Sequence, residues 1–399
     1  MSKLKVAATG CSLADYLYNG IDFAGDAFKK YSSCKEGDGG LNPGHLVFVD
    51  DLEKFSGKEF GIILYELTGG KKFDGFNVGG PAIVAAINAA QLLSGTGAEV
   101  DFYGALGQDD TADRILEILS KTPVNISNYG KHPGSSPYTR VLSDPDYHDG
   151  KGERTFINNI GACRDYVPAM IGDEFYNADV LFFGATALVP GVHDHLTSML
   201  KRGKESNSIN IVTTVFDFRN EKKNPGKRWP LGESDESFRL MDLLIVDWDE
   251  ALKISGEKDF ENAAQFFMDM GVKSFIVTHG AHDFFVWSNG EFFKECPLTA
   301  FPICAAVDAE LKAHPEKRGD TTGCGDNFAG GALTSVVKQL LAGRQAGELE
   351  ILDACAWACA SGGFACFTLG GTYLENVPGE KLGKVKPFYE AYLEQVKAD

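Results

Sequence analysis

The densest concentration of chemistry-bearing residues in the chain is the run Asp320-Thr321-Thr322-Gly323-Cys324-Gly325-Asp326, followed by the small residues Ala329, Gly330, Gly331 and Ala332. A glycine-rich turn that enters a helix leaves its first N–H groups without intrahelical partners and puts the positive end of the helix dipole behind them. That arrangement is an anion hole. The N–H groups of Gly323, Cys324, Gly325 and Asp326 are candidates to hold a phosphoryl group in transfer, because glycine lets the backbone come close to its ligand. Asp326, in the first turn of the same helix, can then take a proton from an attacking hydroxyl. The segment lacks the Gly-Lys-Ser/Thr of a Walker A loop. The first turn, Gly10-Cys11-Ser12-Leu13, lacks the Gly-x-Gly-x-x-Gly of a dinucleotide site, which argues against nicotinamide chemistry.

Such a turn works only where the fold can present it. Apolar runs (KVAATG, VDFYGAL, ADVLFFGA, INIVTTVFDF, LLIVDW, SFIVTHG) alternate with helical patterns at 81–94, TADRILEIL, 190–201 and NAAQFFMDM. This pattern predicts an α/β fold with a parallel sheet covered on both faces, whose ligands collect at the carboxyl ends of the strands. Two stretches, about 16–75 and 131–160, break the alternation. They are rich in Gly, Asp, Lys and Tyr and predict a small lid built from short strands. A third, PICAAVDAELKAHPEKR at about 300–317, predicts an irregular insertion. The chain is otherwise expected to be one unit over 1–399, without internal repeats.

The chain has 399 residues, 44% hydrophobic and 24% charged, enough to bury a large core. A formal charge of -18 repels phosphodiester backbones and anionic lipid, so neither nucleic acid nor membrane is an expected partner. The start, MSKLKVAATG, runs straight into a strand pattern, and no long uncharged stretch follows, which predicts a soluble, cytoplasmic protein. Nine scattered cysteines without a Cys-x-x-Cys pair predict buried free thiols rather than a disulfide framework or a zinc site. Cys355 and Cys359 share one helix face and suit packing. The pairs His193/His195 and His279/His282 lack a third ligand at metal-binding spacing.

Thr-Thr-Gly-x-Gly-Asp at 321–326 resembles the second signature of the ribokinase-like, or PfkB, family of carbohydrate kinases. Further landmarks follow in the family's order over about residues 5–375. Gly10 to Asp15 resembles its Gly-x-x-x-x-Asp, which implies that Asp15 binds substrate hydroxyls. Asn77-Val78-Gly79-Gly80-Pro81 resembles its Gly-Gly signature, which implies that Gly79 and Gly80 lie against substrate, although Val84 stands where the family usually has Asn. Gly104 to Asp109 and Gly152-Glu153-Arg154-Thr155, followed by Gly161-Ala162, resemble structural turns and the return of a lid strand; no chemistry is assigned to them. Asp247-Trp248-Asp249-Glu250 resembles its Asn-x-x-Glu, with Asp in place of Asn. This implies that Glu250 organises Mg²⁺ through water and that Asp247 lies near the nucleotide. Thr278-His279-Gly280 resembles its Thr-x-Gly, which implies that Thr278 and Gly280 contact ATP phosphates, while Asp283 replaces a usual glycine. Gly370-Gly371, with Asp320 and Thr322, resembles the loop that holds a monovalent cation.

The resemblance implies a ribokinase-like fold: a central, mostly parallel sheet flanked by helices, with a small β-rich lid. It implies ATP, Mg²⁺ and K⁺ as cofactors and an alcohol acceptor, with Asp326 as general base. The expected acceptor is a sugar. The alternatives are a nucleoside, or a non-catalytic nucleotide or sugar sensor that keeps the fold, a reading that the changes at Val84, Asp247 and Asp283 leave open. The long aromatic stretch between Asp15 and Gly79 offers apolar surface for a larger enclosure or for a homodimer contact through the lid.

Overall fold

Val6, Ala7 and Ala8 are all buried, so both faces of the first strand are covered, as the unbroken apolar pattern requires of a parallel strand between helical layers. The computed structural model describes residues 3–398 apart from Glu36 and Lys151. β1 (Lys5–Gly10) leads directly into β2 (Leu13–Asn19), and β3 (Leu46–Phe48) and β4 (Gly75–Gly79) follow. Next come β5 (Glu99–Leu106), β6 (Tyr129–Lys131), β7 (Tyr138–Asp144) and β8 (Glu153–Asn159). The second half supplies β9 (Val180–Gly184), β10 (Ile209–Thr213), β11 (Leu243–Asp247), β12 (Ser274–Thr278), β13 (Phe284–Ser288) and β14 (Cys296–Phe301).

One sheet has nine strands in the order β14-β13-β12-β11-β10-β9-β1-β5-β6. Its neighbours from β12 to β6 pair in parallel, and β12–β13 and β13–β14 pair antiparallel. The second sheet has five strands in the order β3-β8-β7-β2-β4. In it Asp15 of β2 stands opposite Asn77 of β4. Asp15 therefore belongs to the smaller sheet rather than to the end of β1, which stops at Gly10.

The turn at 321–326 opens the helix Cys324–Leu341, which packs between Pro81–Leu92 and Ile351–Ala365. Its small residues explain that fit. A side chain at Gly330 would strike the Ala85 carbonyl and one at Gly331 the Trp357 carbonyl, so the helix approaches both neighbours at backbone distance. Cys355 and Cys359 are buried in this packing, as expected.

Three expectations are corrected. The stretch 16–75 is not built from short strands alone: it contains the helices Val49–Ser56 and Phe60–Thr68, which bury Val49 and Leu52, and Ile63 and Leu67, at spacings of three and four. The 300–317 stretch is not irregular, because Ala305–Ala313 is a helix that buries Val307 and Leu311. Nor are all the thiols buried: Cys34 is exposed, and Cys296, Cys324 and Cys366 are partly so.

Candidate active site

Gly323 adopts a φ of 76° as the N-cap of the helix Cys324–Leu341. Among the described residues, the N–H groups of Gly323, Gly325 and Asp326 have no backbone or side-chain acceptor in the protein, and a side chain at Gly325 would meet open space. The Cys324 amide departs from expectation. It turns back to the Thr321 carbonyl at 3.4 Å, because the turn closes on itself there. The open hole is thus formed by Gly323, Gly325 and Asp326. Burial pushes the Asp326 carboxyl up to about 7.

Asp15 is 7% exposed and lies against Gly79, where any side chain would collide with its carboxylate. Glycine at 79 is what makes room for that carboxylate. Burial, and then the charges of Asp326 and Asp320, push the Asp15 carboxyl up to about 7. Asp15, Asp320 and Asp326 therefore share one electrostatic neighbourhood although they lie far apart in the chain. Gly80 caps the helix Pro81–Leu92 and packs on the backbone of Cys11 and Ser12.

The carboxyl ends of β10, β11 and β12 form the other side. Asp247 and Thr278 are register partners there. The Asp247 side chain accepts from the Asp249 N–H at 3.0 Å and caps the helix Trp248–Ser255, a role Asp performs as well as Asn. Thr278 Oγ1 donates to the Val246 carbonyl at 3.5 Å, and Gly280 is exposed at the rim. His279 stacks on Trp248 with centroids 4.4 Å apart, which accounts for it as a packing residue. Glu250 accepts from Thr214 Oγ1 at 2.5 Å. Burial pushes its carboxyl up to about 7, with Asp247 and Asp326 adding to the rise.

Several residues escaped the sequence analysis. Arg154 of β8 donates to the hydroxyls of Thr322 and, at 3.3 Å, Thr321, and lies 3.3 Å from Asp320. It carries a cation from the smaller sheet to the edge of the hole. The Asp320 oxygens also accept from the Thr322 N–H at 2.8 Å and the Gly370 N–H at 3.3 Å. Lys381, 1% exposed, donates to Asn327 Oδ1 at 2.8 Å, and Asn327 Nδ2 donates to the carbonyls of Gly323 at 2.8 Å and Gly371 at 2.9 Å. This chain of hydrogen bonds ties the C-terminal helix Glu380–Ala398 to the turn. Val84 is buried, and one turn later Asn88 donates to the Asn327 carbonyl at 2.9 Å. Asp109 caps the helix Asp110–Leu119 and binds Ser136, a structural duty as expected. Arg154 sits in the quoted lid-strand segment and Asn327 directly follows Asp326, whereas Lys381 and Asn88 lie in no motif.

A buried carboxylate beside unpartnered amides at a helix start, in the field of a second buried carboxylate, suits phosphoryl transfer to a small molecule. A family model for pfkB family carbohydrate kinases matches residues 74–376, and the chain belongs to that family. It is an ATP-dependent phosphotransferase with an alcohol acceptor. A probable fructokinase-2 of Arabidopsis thaliana is 27% identical over 311 residues, 75% of this chain and 83% of that protein. A cytidine kinase of Thermococcus kodakarensis is 28% identical over 250 residues, 62% of this chain and 78% of that one. Adenosine kinase from Schistosoma mansoni in complex with 2-fluoroadenosine superposes with a TM-score of 0.68 at 16% identity, over 94% of this chain and 98% of that one. Ribokinase from Thermotoga maritima gives 0.61 at 18% identity, over 98% and 99%. The fold is ribokinase-like. Asp15 precedes the residues matched by the family model, so its assignment stands on the smaller sheet.

Proposed function

We propose that Asp326 is the general base of a sugar kinase whose acceptor hydroxyls are held by Asp15. One observation carries this: Asp326 lies beside unpartnered amides and within the field of Asp15. Deprotonation of a hydroxyl by Asp326 makes the nucleophile, and the N–H groups of Gly323, Gly325 and Asp326 take up charge on the phosphoryl group in transfer. Mg-ATP supplies that phosphoryl group. Glu250 and Asp247 offer the hard oxygen donors that suit Mg²⁺ held through water, and Thr278 and Gly280 lie on the same side for the nucleotide phosphates. Among the described residues no cluster of three or more His, Cys, Asp or Glu could hold a metal, which fits an ion carried chiefly by nucleotide and water.

A sugar is favoured over a nucleoside because the aromatics of the smaller sheet are spent on packing. Tyr16 is 6% exposed and makes edge-on contacts with Phe73 and Phe76 at 5.0 Å and Tyr138 at 6.2 Å. The similar cytidine kinase keeps a nucleoside as the second reading. Residues of about 16–75 and 131–160 act as the lid of one kinase unit, and exposed Ile62 and Tyr65 on it offer a surface for a homodimer. Among the described residues no helix is long and apolar enough to cross a membrane, and a cytoplasmic location belongs to the same proposal. K⁺ near Asp320, Thr322 and Gly370 is its weakest fit, since Arg154 and two N–H groups already face that carboxylate. K⁺ is expected to raise turnover only modestly.

The test is ADP release from ATP across pentoses, hexoses, fructose, cytidine and adenosine, with Asp326→Asn as the blank and EDTA to abolish the signal. Strongest turnover on a nucleoside overturns the sugar assignment. Equal turnover in the blank overturns the base.

A further inference from the structure

Cys324 and Cys366 bring their Sγ atoms to 3.6 Å where the helix Cys324–Leu341 begins and the helix Ile351–Ala365 ends. Both are partly exposed, whereas Cys355 and Cys359 on the same packed pair of helices are buried. The two segments pack closely: the Gly319 N–H donates to the Cys366 carbonyl at 2.8 Å, and a side chain at Gly362 would come within 3.0 Å of the Cys324 carbonyl. A disulfide needs its sulfurs about 2.05 Å apart, so a bridge here requires the two side chains to draw together.

We propose that Cys324 and Cys366 form a reversible regulatory disulfide that switches off the phosphoryl-binding turn under oxidising conditions. The Cys366 thiol is held below the usual thiol range by its hydrogen bond with Cys324, and Arg318 adds to this, so Cys366 is the attacking group. Its thiolate attacks one sulfur of a low-molecular-weight disulfide such as oxidised glutathione and expels one glutathione thiolate. The Cys324 thiol gives its proton to solvent and attacks Cys366 Sγ, expelling the second. Two electrons pass from the protein thiols to the glutathione disulfide, leaving one protein disulfide and two glutathione thiols. Bridges that solvent can reach are the labile, regulatory kind. Cys324 stands between Gly323 and Gly325, whose amides have no acceptor in the protein, so drawing it toward Cys366 displaces both donors. This consequence rests on the proposed role of the turn; formation of the bridge does not.

The full chain is equilibrated in glutathione buffers of graded redox poise, and its thiols are mapped by peptide mass spectrometry. ATP and ADP affinities are measured on the reduced and oxidised forms. The expected result is a Cys324–Cys366 linked peptide, an ATP affinity weakened by about tenfold or more with little change for ADP, and full recovery in dithiothreitol. Cys366→Ala should match the reduced wild type and ignore the buffer. Glutathione adducts without the linked peptide overturn the proposal, and so does a linked peptide with unchanged ATP affinity. If the reduced protein bound neither nucleotide, the kinase reading of the turn and the switch built on it would fall together, while the map would still decide the bridge.

Discussion

The Arg154 guanidinium lies 3.3 Å from the Asp320 carboxylate, so the smaller sheet is tied to the turn that opens the helix Cys324–Leu341. Its side chain is 24% exposed, and the pair as such adds little stability. Its value is positional, because it brings a cation to the edge of an anion hole in a protein of charge -18. Arg154→Ala should lower kcat/KM by roughly ten- to a hundredfold with little change in Tm. Arg154→Lys should restore only part of this, because ammonium lacks the planar fork that reaches Thr321, Thr322 and Asp320 together. A drop in Tm that accounted for the lost activity would reduce Arg154 to a structural tie.

Asp326→Asn should lower kcat by roughly a hundredfold or more and leave ATP affinity nearly unchanged, because the amide keeps the shape of the turn and removes only the proposed base. Steady-state kinetics with the best acceptor, beside nucleotide binding, checks both halves.

Asp15→Ala should cost roughly ten- to a hundredfold in kcat/KM for the acceptor, since hydroxyls lose hydrogen bonds to a charged group worth about 1.5–3 kcal/mol. Gly79→Ala should reproduce that loss without touching the carboxylate, by displacing it. Nucleotide affinity should survive both changes. An acceptor whose kcat/KM ignored them would remove Asp15 from the substrate pocket.

Burial holds the Asp326 carboxyl near 7 against an ordinary 3.8. With Asp326 as the proposed base, turnover needs the deprotonated form, so kcat/KM should rise with pH and level off above about 7. Stability runs the other way. The native state keeps a proton that the unfolded chain releases near 3.8, so this group's contribution to stability falls as pH rises from there to about 7. Asp326→Asn should therefore raise the Tm of the ligand-free protein by a few degrees at pH 8 and by less at pH 5. Thermal melts at the two values decide, and an equal shift at both would refute the buried charge.

Lys381→Met keeps a long side chain but strands the Asn327 side-chain carbonyl, which accepts from Lys381 at 2.8 Å. An unmet buried acceptor costs about 1–3 kcal/mol. Because Asn327 also grips the carbonyls of Gly323 and Gly371, kcat should fall more than KM changes. Lys381 would then be a positioning residue acting through Asn327. A Tm loss without any kcat effect would confine it to stability.

What the residues determined by themselves was local. A helix start with Gly323 at its cap, the small residues at 329–332 and the buried strands that present the turn follow from backbone freedom and hydrophobic pattern, which act over a few neighbours. The order of Asp15, Gly79, Glu250 and Asp326 was legible only through the resemblance to the family's motifs. Glycine and charge content around 49–68 masks the three- and four-residue spacing of Val49 with Leu52 and Ile63 with Leu67, so the helices there do not stand out from composition. Only the tertiary structure decided the rest. Arg154 meets Thr322 across 168 residues, Lys381 meets Asn327 across 54, and Cys366 meets Cys324 across 42. Asn88 meets the Asn327 carbonyl across 239 residues, because helix packing, not chain order, sets which side chain faces it. Whether an aspartate is an exposed cap or a base held near neutrality depends on the desolvation that surrounding elements impose, a property that no stretch of sequence carries alone.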